Sequence, residues 1–184
     1  MALRALGQDM AIGGFLCGCG DIFAQWLTRY RGHNGKPDVE KDTFDARRTA
    51  AMASYGFCAA VPYHFWYLYL ARRRPGFSIV TKTALETFLV MPFFEIPAVV
   101  TWTGVLGRDQ TFLQAAKQLE RDWLPAVKCS TLIWIPASAI TFSLVPSRWH
   151  LTIFYFVGTF WDATISLISF SGPGHGAVFP GPLD

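Results

Sequence analysis

RDWLPAVKCSTLIWIPASAITFSLVPSRWHLTIFYFVGTFWD, residues 121–162, is the stretch whose reading decides the class of this protein. From Cys129 to Ser147 it holds no Asp, Glu, Lys or Arg, and a second apolar run follows the break at Pro146. About 20 residues at roughly 1.5 Å rise cross a bilayer as helix, so runs of this length suit hydrocarbon better than a soluble core. Val145-Pro146-Ser147-Arg148 separates the two runs by too few residues for a long loop. Proline bars the residue before it from helical geometry, so a sharp break is expected there. Arg148 and Trp149 would anchor that break at headgroup depth, with His150 turned towards the bundle.

Composition extends this reading to the whole chain. Of 184 residues 52% are apolar and only 16% charged, with seven Trp and sixteen Phe. Soluble domains average about 25% charged residues, so this chain has too few to coat its surface. Mean hydropathy is a modest +0.28 because the charges gather at 29–48, 72–74 and 108–128. One domain is expected over residues 1–170. After it the tail SGPGHGAVFPGPLD, residues 171–184, is too rich in Gly and Pro for helix. It reads either as a flexible end or as an arm that orders against a partner.

A net charge of +3 without a basic, aromatic-interleaved stripe argues against nucleic acid as a partner. Cys17, Cys19, Cys58 and Cys129 lie in apolar runs with no His or further Cys at zinc spacing, so they read as packing residues and no metal is expected. No cleavable signal is evident, and organellar targeting, if any, would be internal. Neither a serine elbow, a phosphate loop nor a dinucleotide fingerprint appears, so no enzymatic activity and no cofactor are expected.

Five apolar segments run from about 10–28, 50–71, 83–107, 124–145 and 149–170. The expected fold is all-α: an integral membrane bundle of four to five transmembrane helices. Whether the last two segments each cross or form one bent pair stays open at this stage. Trp26 and Tyr30 beside Arg29 and Arg31, and Tyr63, Trp66, Tyr67 and Tyr69 before Arg72, read as interfacial anchors. Lys and Arg number ten in the 29–48 and 108–128 loops against five in the start and the 72–82 loop, a weak bias for orientation. Residues 111–121 read as a short amphipathic helix, lying on the membrane surface or packed on the bundle.

An ionisable residue in hydrocarbon needs a reason. Asp21 follows Gly14-x-x-x-Gly18, a spacing that lets helices approach closely, and Gln25 shares its face one turn on. A polar stripe facing a crevice and a carboxylate paired with Arg48 are the two readings, and the pair is the favoured one. Glu95 stands between Pro92 and Pro97, where broken backbone often lines a cavity. His64 lies two residues after Pro62, and Asp162 beside Trp161. Asp21, Glu95 and Asp162 would together favour water or cations inside the bundle.

Set in order, these residues resemble the Mpv-17/peroxisomal membrane protein 22 family of small integral membrane proteins. The resemblance rests on Gly20-Asp21 with Gln25, on Asp45, Arg48 and Thr49, and on Gly56, Pro62, His64 and Trp66-Tyr67. It continues through Lys82, Glu86 and Pro92, then Trp134, Pro136, Thr141-Phe142, Val145-Pro146 and Trp161-Asp162. It covers residues 5–170. Val61 stands where the family has Gly, Ser138 where it has Gln and Thr141 where it has Asn. The family's Arg falls on His150, with Arg148 displaced by two. The pore-lining or buried polar candidates are therefore Asp21, Gln25, Arg48, His64, Glu95, Thr141, His150 and Asp162.

The resemblance implies a weakly selective pore for metabolites in an organellar membrane. The inner mitochondrial membrane is preferred over the peroxisomal one. The alternative, favoured by the lost Asn and Gln, is a structural, lipid-embedded accessory subunit of a large inner-membrane complex. Expected partners are membrane lipids and either such a complex or further copies of the chain.

Overall fold

The computed structural model describes residues 2–32, 44–73, 76–146 and 149–170. Its elements are α1 (Ala2–Gly32), α2 (Ala46–Arg73), α3 (Ile79–Leu85), a π-helical stretch (Glu86–Glu95), α4 (Ile96–Arg108), α5 (Phe112–Leu144) and α6 (His150–Phe170). No strand occurs among the described residues, and the fold is all-α. Leu85 and Ile96 keep right-handed helical geometry, so α3, the π stretch and α4 form one rod. Each apolar segment lies in one rod, to within a residue. The tail 171–184, the connection 33–43 and Ser147–Arg148 lie outside the described residues, as do the side chains of Arg29, Tyr30 and Arg31.

The five rods close on themselves. α1 packs against α2 and α6, α2 against α4, α4 against α5, and α5 against α6. Polar and apolar residues are distributed as lipid demands: Asp21, Glu86, Glu95 and Asp162 are buried, while Phe15, Phe65, Phe93 and Leu132 face outwards. In hydrocarbon the charged groups turn inwards and the large apolar groups need no cover.

Among the described residues three rods are long and apolar enough to cross a membrane: residues Arg4–Leu27 of α1, Ile79–Arg108, and α5. The count of four to five therefore depends on α2 and α6. α2 has the length, at 28 residues. Its mean hydropathy is held down by Tyr55, Tyr63, His64 and Tyr67, of which Tyr55 and His64 are buried and the other two half-buried. The tyrosines expected as interfacial anchors are thus partly interior residues.

The short amphipathic helix at 111–121 is not a separate element. Thr111 opens it with a capping box, accepting from the Gln114 N–H at 3.3 Å while its own N–H reaches Gln114 Oε1 at 2.8 Å. The helix then runs through Pro125 and Pro136 to Leu144. Ala115, Gln118, Asp122 and Ala126 are its buried residues here, so the inward face of this stretch packs on the bundle, as one of the two readings had it.

At the other end the break at Pro146 takes the expected form. Val145 is extended (φ −97°, ψ 131°) as a residue before proline must be. The Trp149 N–H reaches the Pro146 carbonyl at 2.8 Å, and α6 starts at His150.

Close helix approach is carried by Gly13 and Gly20 as well as by Gly14 of the expected pair, but not by Gly18. A Cβ on Gly13 would stand 2.6 Å from the Gly56 carbonyl oxygen, and one on Gly20 2.8 Å from that of Thr159. Gly14 is tight against Ala53 O at 3.1 Å, but Gly18 meets only the Ala53 methyl at 3.5 Å, an ordinary contact. The crossing of α1 with α2 is centred one residue before Gly14, and Gly18 is not needed for it.

Candidate functional site

The buried polar residues divide into two groups. The first joins the end of α1 to the start of α2. Asp45 caps α2, its Oδ1 accepting from the Arg48 N–H at 2.9 Å. This fixes Arg48 and Thr49 on the first turn, facing Asp21. Arg48 Nε donates to Asp21 Oδ1 at 2.7 Å. Asp21 Oδ2 accepts from Thr49 Oγ1 at 2.7 Å and from Gln25 Nε2 at 2.8 Å. Gln25 Oε1 in turn accepts from the Asp45 N–H at 2.9 Å. Asp21 is fully buried and the Arg48 side chain 12% exposed. Both carboxylate oxygens are used, as a charge away from water requires. Of the two readings of Asp21, the paired carboxylate is the one observed.

Around this group lies a belt of surface charge. Arg47 Nε donates to the Leu106 carbonyl at 2.9 Å, and its guanidinium forks onto both Asp109 oxygens. Arg47 holds the Asp109 carboxyl below the usual carboxylate range, mainly through these hydrogen bonds. Asp109 ends α4 in the left-handed region, at φ 54°.

The second group lies at the centre of the ring, and the π stretch creates it. Glu86 and Glu95 are nine residues apart. At roughly 3.6 residues per turn that spacing is two and a half turns and puts them on opposite faces. A π-helix, with about 4.4 residues per turn, brings them back to one face. The buried residues follow this wider period, with Glu86 and Met91, then Thr87 and Pro92, five apart, and the Ile96 N–H bonds to the Met91 carbonyl. Pro92, which has no N–H to donate, and Pro97 in the first turn of α4 give the local cause.

α2 supplies the partners of both acids from one side. Glu95 Oε2 accepts from Tyr55 at 2.6 Å and from Tyr63 at 2.7 Å. Glu86 accepts from Trp66 Nε1 at 2.8 Å and from Tyr67 at 2.9 Å. Asp162 on α6 stands beside the Cys17 thiol of α1. A cavity of about 70 Å³ runs between them, with Trp134 and Trp161 also in its wall. No Lys, Arg or His is among its lining residues. A wider, apolar groove of about 630 Å³ opens on the outer side of Tyr55, Tyr63 and Glu95.

The remaining candidates stand elsewhere. His64 Nδ1 is 2.5 Å from Asp9 Oδ2, tying the other ends of α1 and α2 together. Thr141 and Ser138 are fully buried on α5, their hydroxyls without a hydrogen-bond partner among the described residues. His150 Nε2 is 2.7 Å from the Val145 carbonyl, inside the α5–α6 turn. Of the eight polar candidates, then, Asp21, Gln25 and Arg48 meet in one group, Glu95 and Asp162 in another, and three stand apart. Glu86, Tyr55, Tyr63 and Cys17 belong to the centre although their positions as site residues were not expected. Pro92 beside Glu95 was the available signal, because it marks a place where helical period changes.

A family model described as Mpv17 / PMP22 family matches residues 104–166, from the end of α4 into α6. The chain is 31% identical over 165 residues to PXMP2/4 family protein 2 of Dictyostelium discoideum, covering 88% of this chain and 83% of that protein. It is 24% identical over 170 residues to mitochondrial inner membrane protein Mpv17 of Caenorhabditis briggsae, covering 90% and 87%. It is 29% identical over 173 residues to protein SYM1 of Mycosarcoma maydis, covering 91% and 81%. No solved structure matches.

Proposed function

For a chain that belongs to the Mpv17 / PMP22 family and is a protein of the mitochondrial inner membrane, we propose transport: a helical ring that passes small polar solutes with weak selectivity. The observation that carries this reading is the composition of the central cavity. Tyr55, Tyr63 and Tyr67 of α2, Glu86 and Glu95 of the π stretch and Asp162 of α6 line it, and among the described residues no basic side chain does. Acids at membrane depth are costly, and where no counter-charge pairs them they commonly mark a path for water or cations. On this reading α2 and α6 cross the membrane with the other three rods, and lipid covers the outward aromatic residues.

Purified protein in liposomes tests the proposal. Small solutes should leave protein-containing vesicles faster than protein-free ones, cations faster than anions of equal size, and Glu95→Gln should narrow that preference. Efflux equal to that of protein-free vesicles at every size would end the transport reading.

One observation favours a second reading, the lipid-embedded accessory subunit. The hydrogen bonds from Arg48, Thr49 and Gln25 to Asp21 join α1 to α2, a helix-fastening role and not a path. Extraction in mild detergent followed by a native gel separates the two readings. Stoichiometric migration with a large complex supports the subunit, and a small particle or a ring of identical copies supports transport.

A further inference from the structure

The groove outside Glu95 has an apolar wall, and its donors are already engaged. It lies along the seam where α2 meets the π stretch and α4, with a volume of about 630 Å³. Its tyrosines and tryptophans carry an O–H or ring N–H, and each turns that group to an acceptor. Tyr55 and Tyr63 donate to Glu95, Trp66 Nε1 to Glu86, and Trp102 Nε1 to Ser54 Oγ at 3.0 Å. Among the described residues no Lys, Arg or His lines it. Ala59, Pro62 and Ala98 are its small side chains, and Leu89 and Phe94 stand exposed beside them. Such a wall complements hydrocarbon, because a polar occupant would lose its water and gain little in return.

We propose that the groove binds one acyl chain of a phospholipid, drawn from the leaflet on the Arg47 side. Depth argues for this. Lys82 and Trp102 lie roughly 30 Å apart along one apolar rod at helical rise, the thickness of the hydrocarbon core. Tryptophan belongs at such a boundary. Beyond Trp102 the seam reaches charge, where the Leu106 carbonyl accepts from Arg47 Nε at 2.9 Å. Inwards from Trp102, whose ring centroid is 6.4 Å from that of Tyr55, the groove follows α2 from Tyr55 to Trp66. That interval is roughly 16 Å at helical rise, against about 15 Å for the hydrocarbon of one leaflet. Width excludes a helix. Axes of packed helices are about 8–10 Å apart and a helix with its side chains is about 10–12 Å across, so neither a second copy nor a partner helix enters the seam between two touching rods. A chain of methylene groups does.

Tyr55, Ala59, Tyr63 and Glu95 line both the groove and the central cavity, so the wall between them is one side chain thick. An acyl chain in the groove therefore backs the two tyrosines that hold Glu95 and closes the cavity off from the bilayer. The site concerns lipid alone and stands whether the ring transports solutes or joins a larger complex. Liposomes holding equal amounts of palmitoyl-oleoyl phosphatidylcholine and diphytanoyl phosphatidylcholine test it. Their headgroups are identical, and their chains differ in methyl branches. Unaltered protein is extracted from them in mild detergent, and the retained lipid is identified and counted by native mass spectrometry.

The expected result is one retained phospholipid per protein, with the unbranched lipid favoured by about fivefold or more, since methyl branches overpack a fitted site. Ala98→Leu fills the groove from its exposed side and should abolish retention. Leu132→Phe, exposed on α5 and away from the groove, should leave retention unchanged. Equal retention of the two lipids would overturn the proposal, as would retention that survives Ala98→Leu. Protein carrying no phospholipid would overturn it too, and a lipid-free dimer separated by Ala98→Leu would give the groove to a second copy. Should Ala98→Leu fail to fold, the ratio of the two lipids on the unaltered chain still decides. A retained lipid without solute efflux from vesicles would remove transport and leave the site. Efflux without a retained lipid would remove the site alone.

Discussion

Two acids buried in the same bundle are treated in opposite ways. Asp21 has a guanidinium, a hydroxyl and an amide on its two oxygens, and these three partners come from α1 and α2. Glu95 has two phenol hydroxyls on one oxygen, a cavity in front, and, among the described residues, no basic side chain lining that cavity. The first arrangement fastens helices. The second keeps a carboxyl available. A buried charge with its counter-charge next to it contributes to stability only as a pair, whereas a carboxyl held by neutral donors can change protonation or take a cation without dismantling the fold.

The sharpest way to break this comparison is to remove one partner at the α1–α2 end. Asp21→Asn or Arg48→Met leaves a charge without its opposite and should cost about 3–5 kcal/mol. The double substitution should cost less than the sum of the two. Unfolding in detergent, run as a double-mutant cycle, measures the difference. Strictly additive losses would mean that the 2.7 Å contact contributes nothing as a pair.

Helix crossing offers a second contrast, between Gly13 and Gly18 on the same rod. A Cβ at Gly13 would press against backbone of α2, which cannot move aside as a side chain can. Gly13→Ala should therefore cost about 1–3 kcal/mol, the usual range for overpacking. Gly18→Ala meets one methyl at ordinary distance. It should be neutral or stabilising by up to about 1 kcal/mol, since alanine is the better helix former. Equal losses at the two positions would show that the crossing is centred where Gly14 and Gly18 alone would place it.

What could be read without coordinates follows from how local each feature is. Apolar runs and their proline punctuation depend on neighbouring residues, and they placed one segment inside each of the five rods and found the turn at Pro146, but not the starts of α1 and α5. Asp21 with Arg48 was legible because Arg48 lies on the first turn of α2, the helix that follows α1, although Asp21 itself stands about three turns before the end of α1. The meeting of Glu86 with Glu95 was not legible, because it depends on a change of helical period that composition does not announce. A spacing of nine means opposite faces in one helix and the same face in another. The capping box of Thr111 and Gln114 marks where α5 starts, yet the apolar run begins about three turns later. For that reason residues 111–121 looked like an element of their own.

At the centre the same kind of substitution should be almost silent. Glu95→Gln keeps an amide oxygen that still accepts from Tyr55 and Tyr63, and it removes a carboxyl that has no basic side chain beside it among the described residues. Its effect on stability should stay under about 1 kcal/mol, several-fold below that of Asp21→Asn. Tyr55→Phe, which deletes a donor, should cost more than Glu95→Gln in the same unfolding measurement. A loss at Glu95→Gln as large as at Asp21→Asn would erase the distinction between the two acids.

The smallest effect expected is at the surface, where Asp109 and Arg47 form a pair open to water. Exposed pairs contribute little and are screened by salt. Asp109→Asn isolates the charge, because asparagine also tolerates the left-handed conformation at that position. The folded-state carboxyl lies below its ordinary value, so its contribution is present above about pH 3.9 and is lost as pH falls through the lowered value. The parent chain should accordingly melt slightly above the variant at neutral pH in low salt. That gap should shrink on adding salt and close on acidification below the ordinary carboxylate range. A gap that widened in acid would have the wrong sign for a carboxylate stabilised by Arg47, and would assign the effect of the substitution to the helix cap rather than to charge.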